Sequence, residues 1–392
     1  MEKINLIEIL FYFQVIGTFA YSILLILLAI GLKRLKLAIG QETPFVSVVI
    51  AVRNEEDHIR ACLKSLTTQL YPKDKYEIII VDDHSDDETN TIVQSFCTDK
   101  IKLFSLIDSN GISPKKAALH QGVQESRGEI ILTTDADCRV PATWIQTMVK
   151  YFAPDTGAVA SWLCVQENNH WLSKLETLDS LALSFVGAAS FGWQRPMIAN
   201  GANFAYRRQV YDELDGFSGA AEYGSGDDDL LLQKIHATQK WTCAFAPDPA
   251  SIVVTHAQKN LSQFFQQRFR WASKSRLYPA YVVLVLGFLY FYLVSLLVSV
   301  FVFLFFSSEF SNLMLLLPHA SKFLLDFAFM STAARRLHKN INPAILFMTE
   351  WFQMLYITIV SVWGRWGTYT WKGRRYKAGR VSRNYSQQLF KG

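Results

Sequence analysis

Two carboxylates one residue apart, Asp135 and Asp137, follow the apolar run Ile130-Ile131-Leu132 and two threonines. A β-branched run of this length predicts a buried strand. In an open α/β sheet, ligands collect just beyond the carboxyl ends of the strands. Two acids at such an end can hold a hard divalent cation through oxygen, and the cation can hold phosphate. The plain alternative for an Asp-x-Asp pair is a solvated turn. A second cluster, Asp82-Asp83-His84-Ser85-Asp86-Asp87, follows the run Glu77 to Val81. Ser85 to Asp87 suit a helix N-cap. Asp82 and Asp83 come too early for that, and a carboxylate there can accept hydrogen bonds from a nucleobase N–H or a ribose hydroxyl. A third cluster, Gly226-Asp227-Asp228-Asp229-Leu230, opens a helix-like stretch. Acids at a helix start complement its macrodipole. Acids this close also raise one another's pKa, and a raised carboxylate can take a proton from an attacking hydroxyl. Finally, Gln267-Arg268-Phe269-Arg270-Trp271 stands just before a long apolar run. It reads either as a cationic and aromatic membrane flank or as an acceptor wall, Trp271, with Arg270 near a pyrophosphate.

The elements around these residues predict how they meet. Strands are expected at Val46 to Val52, Glu77 to Val81, Ile101 to Leu106 and from Ile130. Helical spacing fills the intervals at Glu55 to Leu66, Asp86 to Phe96 and Lys115 to Ser126, with Ser85 or Asp86 available as a cap. Such alternation predicts an α/β fold, a mostly parallel sheet with helices on both faces. The carboxyl-edge rule then brings Arg53-Asn54-Glu55, Asp82-Asp83 and Asp135/Asp137 into one crevice. Further on, Trp144 to Tyr151 reads as a helix and Ala158 to Val165 as a strand. Trp171 to Phe191 reads as an apolar helix, either core or lying against a membrane.

Composition adds a membrane. Half of the 392 residues are apolar and 14% are aromatic, which suits a soluble domain joined to spanning segments. Ile4 to Leu32 is long enough for one span, and Lys33, Arg34 and Lys36 follow it, which argues against a cleaved signal peptide. The positive-inside rule places residue 33 onward in the cytoplasm. Ala280 to Phe306 is the strongest span and Ala344 to Trp363 a moderate one; Asn312 to Met330 is weaker and is expected in the interface or as a re-entrant segment. The formal net charge is +5, and Arg365 to Gly392 holds eight basic residues and no acid. That tail is expected on anionic lipid. The five cysteines are far apart, which argues against a disulfide framework or a C-x-x-C zinc site. The expected organisation is an anchor over 1–33, a cytoplasmic catalytic domain over 44–275, a membrane region of two or three spans over 280–364 and a basic tail over 365–392.

In their order, these motifs resemble the membrane-bound glycosyltransferases of family 2, which have a GT-A fold. The resemblance covers Pro44 to Trp271 and is carried by Val48 to Glu56, Val81 to Thr89, Lys115 with Ala118-Leu119, Asp135-Ala136-Asp137, Asn200 to Phe204, Gly226 to Leu230 and Gln267 to Trp271. It implies inverting transfer from a nucleoside-diphosphate sugar, usually a UDP-sugar, with Mg²⁺ or Mn²⁺. By position, Arg53, Glu55, Asp82, Asp83, Lys115 and Asp135 would hold the nucleotide-sugar, with Asp83 on the base. Asp137, with Asp135, would hold the metal, and Asp228 would be the base. Asp227, Gln267, Arg270 and Trp271 would line the acceptor and pyrophosphate side; Asp227 stands where relatives commonly carry Glu. The expected partners are the donor, a lipid-linked or membrane-proximal glycan acceptor and membrane lipid, with no nucleic acid. The expected place is a bacterial inner membrane. A processive polysaccharide synthase and a non-catalytic nucleotide-sugar-binding membrane protein are the alternatives.

Overall fold

The computed structural model describes residues 6–38, 40–109, 111–306 and 314–381. Residues 1–5 of the expected anchor, 312–313 of the weaker apolar stretch and 382–392 of the basic tail lie outside the described residues.

The strands in chain order are β1 (Val46–Val52), β2 (Tyr76–Asp82), β3 (Ile101–Ser105), β4 (Ile130–Thr133), β5 (Thr156–Ser161), β6 (Leu163–Gln166), β7 (Phe204–Arg207), β8 (Thr242–Ala246), β9 (Val253–His256), β10 (Thr368–Trp371), β11 (Arg374–Lys377) and β12 (Arg380–Val381). The central sheet has the order β3-β2-β1-β4-β7-β5-β8. Every pairing in it is parallel except those of β7, which runs antiparallel to β4 and β5. The near-continuous apolar runs of β1 and β2 follow from burial on both faces. Val49, Ile79 and Ile131 feed one core, while Val48, Ile50, Ile78, Ile80 and Leu132 feed the other. Parallel register brings the carboxyl ends of these strands together, with Val52 opposite Asp82.

Several sequence expectations shift. The strand expected over Ala158 to Val165 is two strands, broken at Trp162, and β6 leaves the main sheet to pair with β9. The Trp162 indole donates to the Pro247 carbonyl at 3.0 Å and packs edge-on against Phe185 and Phe245. The helix expected from Glu55 begins at Ile59, and the one expected over Asp86 to Phe96 is Thr89–Gln94. Neither Ser85 nor Asp86 caps it, because both are spent elsewhere. Ser85 Oγ donates to Asp82 at 2.5 Å, and the Asp86 carboxylate accepts from Arg53 at 3.3 Å.

The helix Trp171–Gly192 is largely core, and it crosses the N-terminal helix Leu6–Arg34 at two glycines. A Cβ on Gly31 would meet the Ala189 carbonyl, and one on Gly192 would meet the Gly31 carbonyl. Among the described residues, three helices are long and apolar enough to cross a membrane: Ile7–Arg34, Ala280–Phe305 and Pro343–Trp366. The weaker stretch forms the helix Leu317–Ala334. Its carboxyl end does not stay away from the catalytic domain: Met330, Ala333, Ala334 and Leu337 join the same core as Val49 and Ile79. Pro343–Trp366 therefore starts beside that domain. It also ends there, because β10, β11 and β12 form a small sheet that docks on the domain. The tail expected on lipid is, over its described residues, part of the catalytic body.

Gly192→Val should separate the two crossing helices and lower the unfolding midpoint of the detergent-solubilised chain, by about 1–3 kcal/mol of stability. An unchanged midpoint would mean that the crossing does not bear on stability.

Candidate active site

One crevice of about 660 Å³ opens at the carboxyl edge of the sheet. Arg53, Glu55, Asp83, Lys115, Asp135, Asp137, Asp227, Asp228, Gln267, Arg270 and Trp271 all line it. Asp82 does not. It is the last residue of β2, and its carboxylate folds back to accept from the Ser85 hydroxyl at 2.5 Å and the Ser85 N–H at 3.2 Å. Asp82 thus shapes the turn that presents Asp83.

Asp135 and Asp137 stand just past β4. Asp137 accepts from Thr255 Oγ1 at 3.3 Å. Lys115 joins this end to the third acid cluster, 2.8 Å from Asp135 and 3.0 Å from Asp227. Burial alone would lower the Lys115 ammonium, but Asp135 and Asp227 outweigh it and hold its pKa up. Asp135 itself is raised by withdrawal from bulk water and by Asp137 and Asp227, against Lys115. Burial pushes Glu55 up to about 7, with Asp137 and Asp135 adding and Lys372 opposing. Asp135, Asp137 and Cys138 bring one ligand atom each within 4.8 Å of one another. The buried Cys138 thiol is pushed well up by burial and by the two acids, so it stays protonated. The oxygen pair that remains fits a hard cation such as Mg²⁺ or Mn²⁺.

Asp228 is the N-cap of the helix Asp229–Ala237 and accepts from the Asp229 N–H at 2.7 Å. Its other oxygen accepts from the Gly201 N–H at 2.8 Å, which ties it to the loop before β7. The mutual repulsion expected within Asp227 to Asp229 does not fall on Asp228. Burial pushes it up, but Lys274 at 3.5 Å and the hydrogen bonds from Asp229 hold it below the usual carboxylate range. The repulsion falls on Asp229, which is 1% exposed and bonded to Tyr278 at 2.5 Å. Burial raises Asp229 to about 7, helped by Asp228 and opposed by Lys274.

The helix Leu261–Ser273 supplies the far wall. Its Arg268 turns away from the crevice into a buried pair with Asp179 at 2.6 Å, and Asp179 also accepts from Gln353 at 2.8 Å and Tyr356 at 2.5 Å. This network pins the wall to the helix Pro343–Trp366 and leaves Arg270 and Trp271 facing the crevice. Arg270 lies over the Trp371 ring at 4.7 Å.

Sequence reasoning missed Lys274, Thr255, His256, Trp371, Lys372, Arg374 and Tyr376, all on the crevice wall. A local signal existed for four of them. Lys372-Gly373 and Ala378-Gly379 are two-residue turns with positive φ throughout, the hairpin type that ends in glycine.

Residues 47–215 match the model of the family described as "Glycosyl transferase family 2". Over that stretch, which is under half of the chain, the sequence is similar to that family. It is similar to the probable glycosyltransferase YdaM of Bacillus subtilis, 29% identical over 62% of this chain and 57% of the relative. It is also similar to a beta-monoglucosyldiacylglycerol synthase of Nostoc sp., 31% identical over 58% and 48%. The chain spans about half the length of these curated relatives. Among solved structures, the mannosyltransferase PcManGT of Pyrobaculum calidifontis, in complex with GDP-Man and Mn²⁺, aligns over 91% of this chain and 99% of that one, with a TM-score of 0.56 at 20% identity. The glycosyltransferase domain therefore has the GT-A fold, and these relatives support a transferase.

A carboxyl group raised in the folded chain stabilises it fully below its unfolded pKa, and the gain is lost as pH rises through the folded value. For Asp229 that window runs from roughly pH 4 up to about 7. Asp229→Asn should therefore compare better with wild type in thermal unfolding at the upper end of that window than at the lower. The slope should be at most about 1.4 kcal/mol per pH unit. A difference independent of pH would remove the raised carboxyl.

Proposed function

We propose that this chain is an inverting glycosyltransferase that moves one sugar from a nucleoside-diphosphate sugar to a lipid-linked or membrane-proximal glycan acceptor. The observation that carries this reading is the meeting of three acid clusters and the helix Leu261–Ser273 around one crevice. Asp83, at the end of β2, takes the nucleobase side, with a UDP-sugar as the expected donor. Arg53 braces that loop by donating to the Asp83 and His84 carbonyls at 2.5 and 2.7 Å. Asp135 and Asp137 would hold a divalent cation, Mg²⁺ or Mn²⁺, which when bound neutralises the leaving diphosphate. Lys115 adds a fixed positive charge beside them.

The acceptor hydroxyl attacks the anomeric carbon from the face opposite the diphosphate. Its oxygen forms the new glycosidic bond as the bond from carbon to the diphosphate oxygen breaks, and the proton passes to Asp228. Lys274 and the Gly201 N–H keep the Asp228 carboxylate charged and fixed. Its low proton affinity suits a hydroxyl that becomes acidic only as the new bond forms. Gln267, Arg270, Trp271 and Asp227 bound the space for acceptor and pyrophosphate.

The connection of the wall helix to apolar helices supports an acceptor at the membrane. The wall helix leads into the apolar helix Ala280–Phe306 and packs on Pro343–Trp366. A relative whose name is that of a glycolipid synthase points the same way. The basic residues Lys33, Arg34 and Lys36 after the first apolar helix support a cytoplasmic catalytic domain on a bacterial inner membrane.

The purified chain, screened with nucleotide-sugars, lipid acceptors and Mn²⁺, should release nucleoside diphosphate and yield a single-step product. A ladder of long polymer would favour a processive synthase, and no release from any donor would remove the enzyme reading. Asn is as good an N-cap as Asp, so Asp228→Asn should fold normally and lose roughly 10²–10⁴-fold in turnover. Unchanged turnover would take the base role from Asp228. Asp137→Ala should abolish Mn²⁺ binding read by calorimetry with the nucleoside diphosphate present. Undiminished Mn²⁺ affinity would place the cation elsewhere.

A further inference from the structure

The described part of the basic tail is built into the donor side of the crevice. β10 and β11 are joined at Lys372-Gly373, with Trp371 opposite Arg374. Side chains along β11 alternate. Arg374 and Tyr376 are buried, and Arg375 and Lys377 are exposed. Tyr376 is fully buried and stacks on Tyr369 at 5.0 Å. The docking is tied at several places. The Gly224 N–H donates to the Gly379 carbonyl at 2.8 Å, the Thr370 N–H to Gln266 at 2.7 Å, and Lys372 pairs with Glu55 at 2.6 Å.

At the centre of this contact, the Arg374 guanidinium forks the Asp83 carboxylate. Nη2 donates to one oxygen at 2.8 Å and Nη1 to the other. Both residues are buried, at 6% and 5% exposure. Two parallel bonds fix the plane of a carboxylate as well as its position. Each carboxylate oxygen keeps a further lone pair that can accept from a ligand. Asp83 lies on a turn with positive φ at His84, whose exposed Nδ1 stands 3.5 Å from one Asp83 oxygen, so the buried fork from Arg374 is the closer and two-point hold.

We propose that Arg374 is a positioning residue for nucleotide recognition. It holds Asp83 in the one orientation that meets the nucleobase, so the donor pocket is complete only when the strand pair after Pro343–Trp366 is docked. The proposal rests on the reading that this crevice takes a nucleoside-diphosphate sugar.

The test uses the full chain in detergent, with Arg374→Ala, Arg374→Lys, Asp83→Asn and, as a control on the opposite face of β11, Arg375→Ala. Calorimetry with UDP and with GDP reads binding, and steady-state kinetics read donor and acceptor KM. Arg374→Ala should weaken the nucleoside diphosphate that wild type binds roughly tenfold or more and raise donor KM by a similar factor. The turnover number should stay within about threefold and acceptor KM should not move. Arg374→Lys, a point charge that cannot fork, should fall between. Adding Asp83→Asn to Arg374→Ala should cost little more, because the two act as one unit. Arg375→Ala should match wild type. Unchanged nucleotide binding and donor KM in Arg374→Ala would overturn the proposal. So would equal losses in donor KM, acceptor KM and unfolding midpoint with no rescue by lysine, since that is the pattern of a strut. A wild-type chain that binds neither nucleotide removes the reading of the crevice, and this proposal with it. Wild-type binding and turnover that persist in Arg374→Ala remove only the role of Arg374.

Discussion

Repulsion among carboxylates gathered at one sheet edge is the constraint to which the rest of the chain responds. Glu55, Asp83, Asp135, Asp137, Asp227 and Asp228 share one crevice wall. Uncompensated charges in such a place cost several kcal/mol each. Each acid that is most enclosed has acquired a cation from a different part of the chain. Lys115 serves Asp135 and Asp227, Lys274 serves Asp228 and Asp229, Lys372 serves Glu55, and Arg374 serves Asp83. Asp137, with hydroxyl and thiol neighbours and no cation within bonding reach among the described residues, is left as the acid best suited to a metal ion. The pattern of compensation thus sets Asp137 apart from the acids that share a lysine or arginine.

This constraint also accounts for what was legible in the sequence. Strand ends are marked locally, by β-branched runs that stop at acids, and parallel register does the rest. Val46 to Val52 and Tyr76 to Asp82 align residue for residue, so two motifs about thirty residues apart must meet. Asp82 and Asp83 were not separable, because which of two adjacent acids faces the crevice depends on how Ser85 closes the turn. Of the cations, Lys115 is legible only through the family resemblance, and Lys274, Lys372 and Arg374 are not legible as partners of these acids. Asp83 and Arg374 lie 291 positions apart, and a lysine or arginine that neutralises a distant acid looks like any other basic residue. Among the basic residues from Arg365 onward, Lys372 and Arg374 are partners of enclosed acids. Arg383 and Lys391 lie outside the described residues.

Trp162 and β7 show a different limit. Hydrophobic pattern predicts that a segment is a strand, and it is silent on which sheet the strand joins or in which direction. β5 and β6 read as one run, yet the burial of Trp162 between them redirects the chain to β9. That redirection matters to the site, because β9 carries Thr255 and His256 to the crevice beside Asp137.

Asp228 shows why capping and chemistry are not rival readings of one residue. The N-cap position fixes a side chain at the positive end of a helix, with one oxygen already bonded and the other bonded to Gly201. Lys274 and the bonds from Asp229 lower its proton affinity, while burial raises that of Asp229. A base at this position therefore works by placement and not by an elevated pKa. The helix Pro343–Trp366 extends the same logic to the membrane side. With both ends on the same domain, it fixes the wall through Asp179 at one point and delivers Arg374 to Asp83 at another. The wall at Arg270 and Trp271 and the Asp83–Arg374 pair are thereby both tied to one apolar helix.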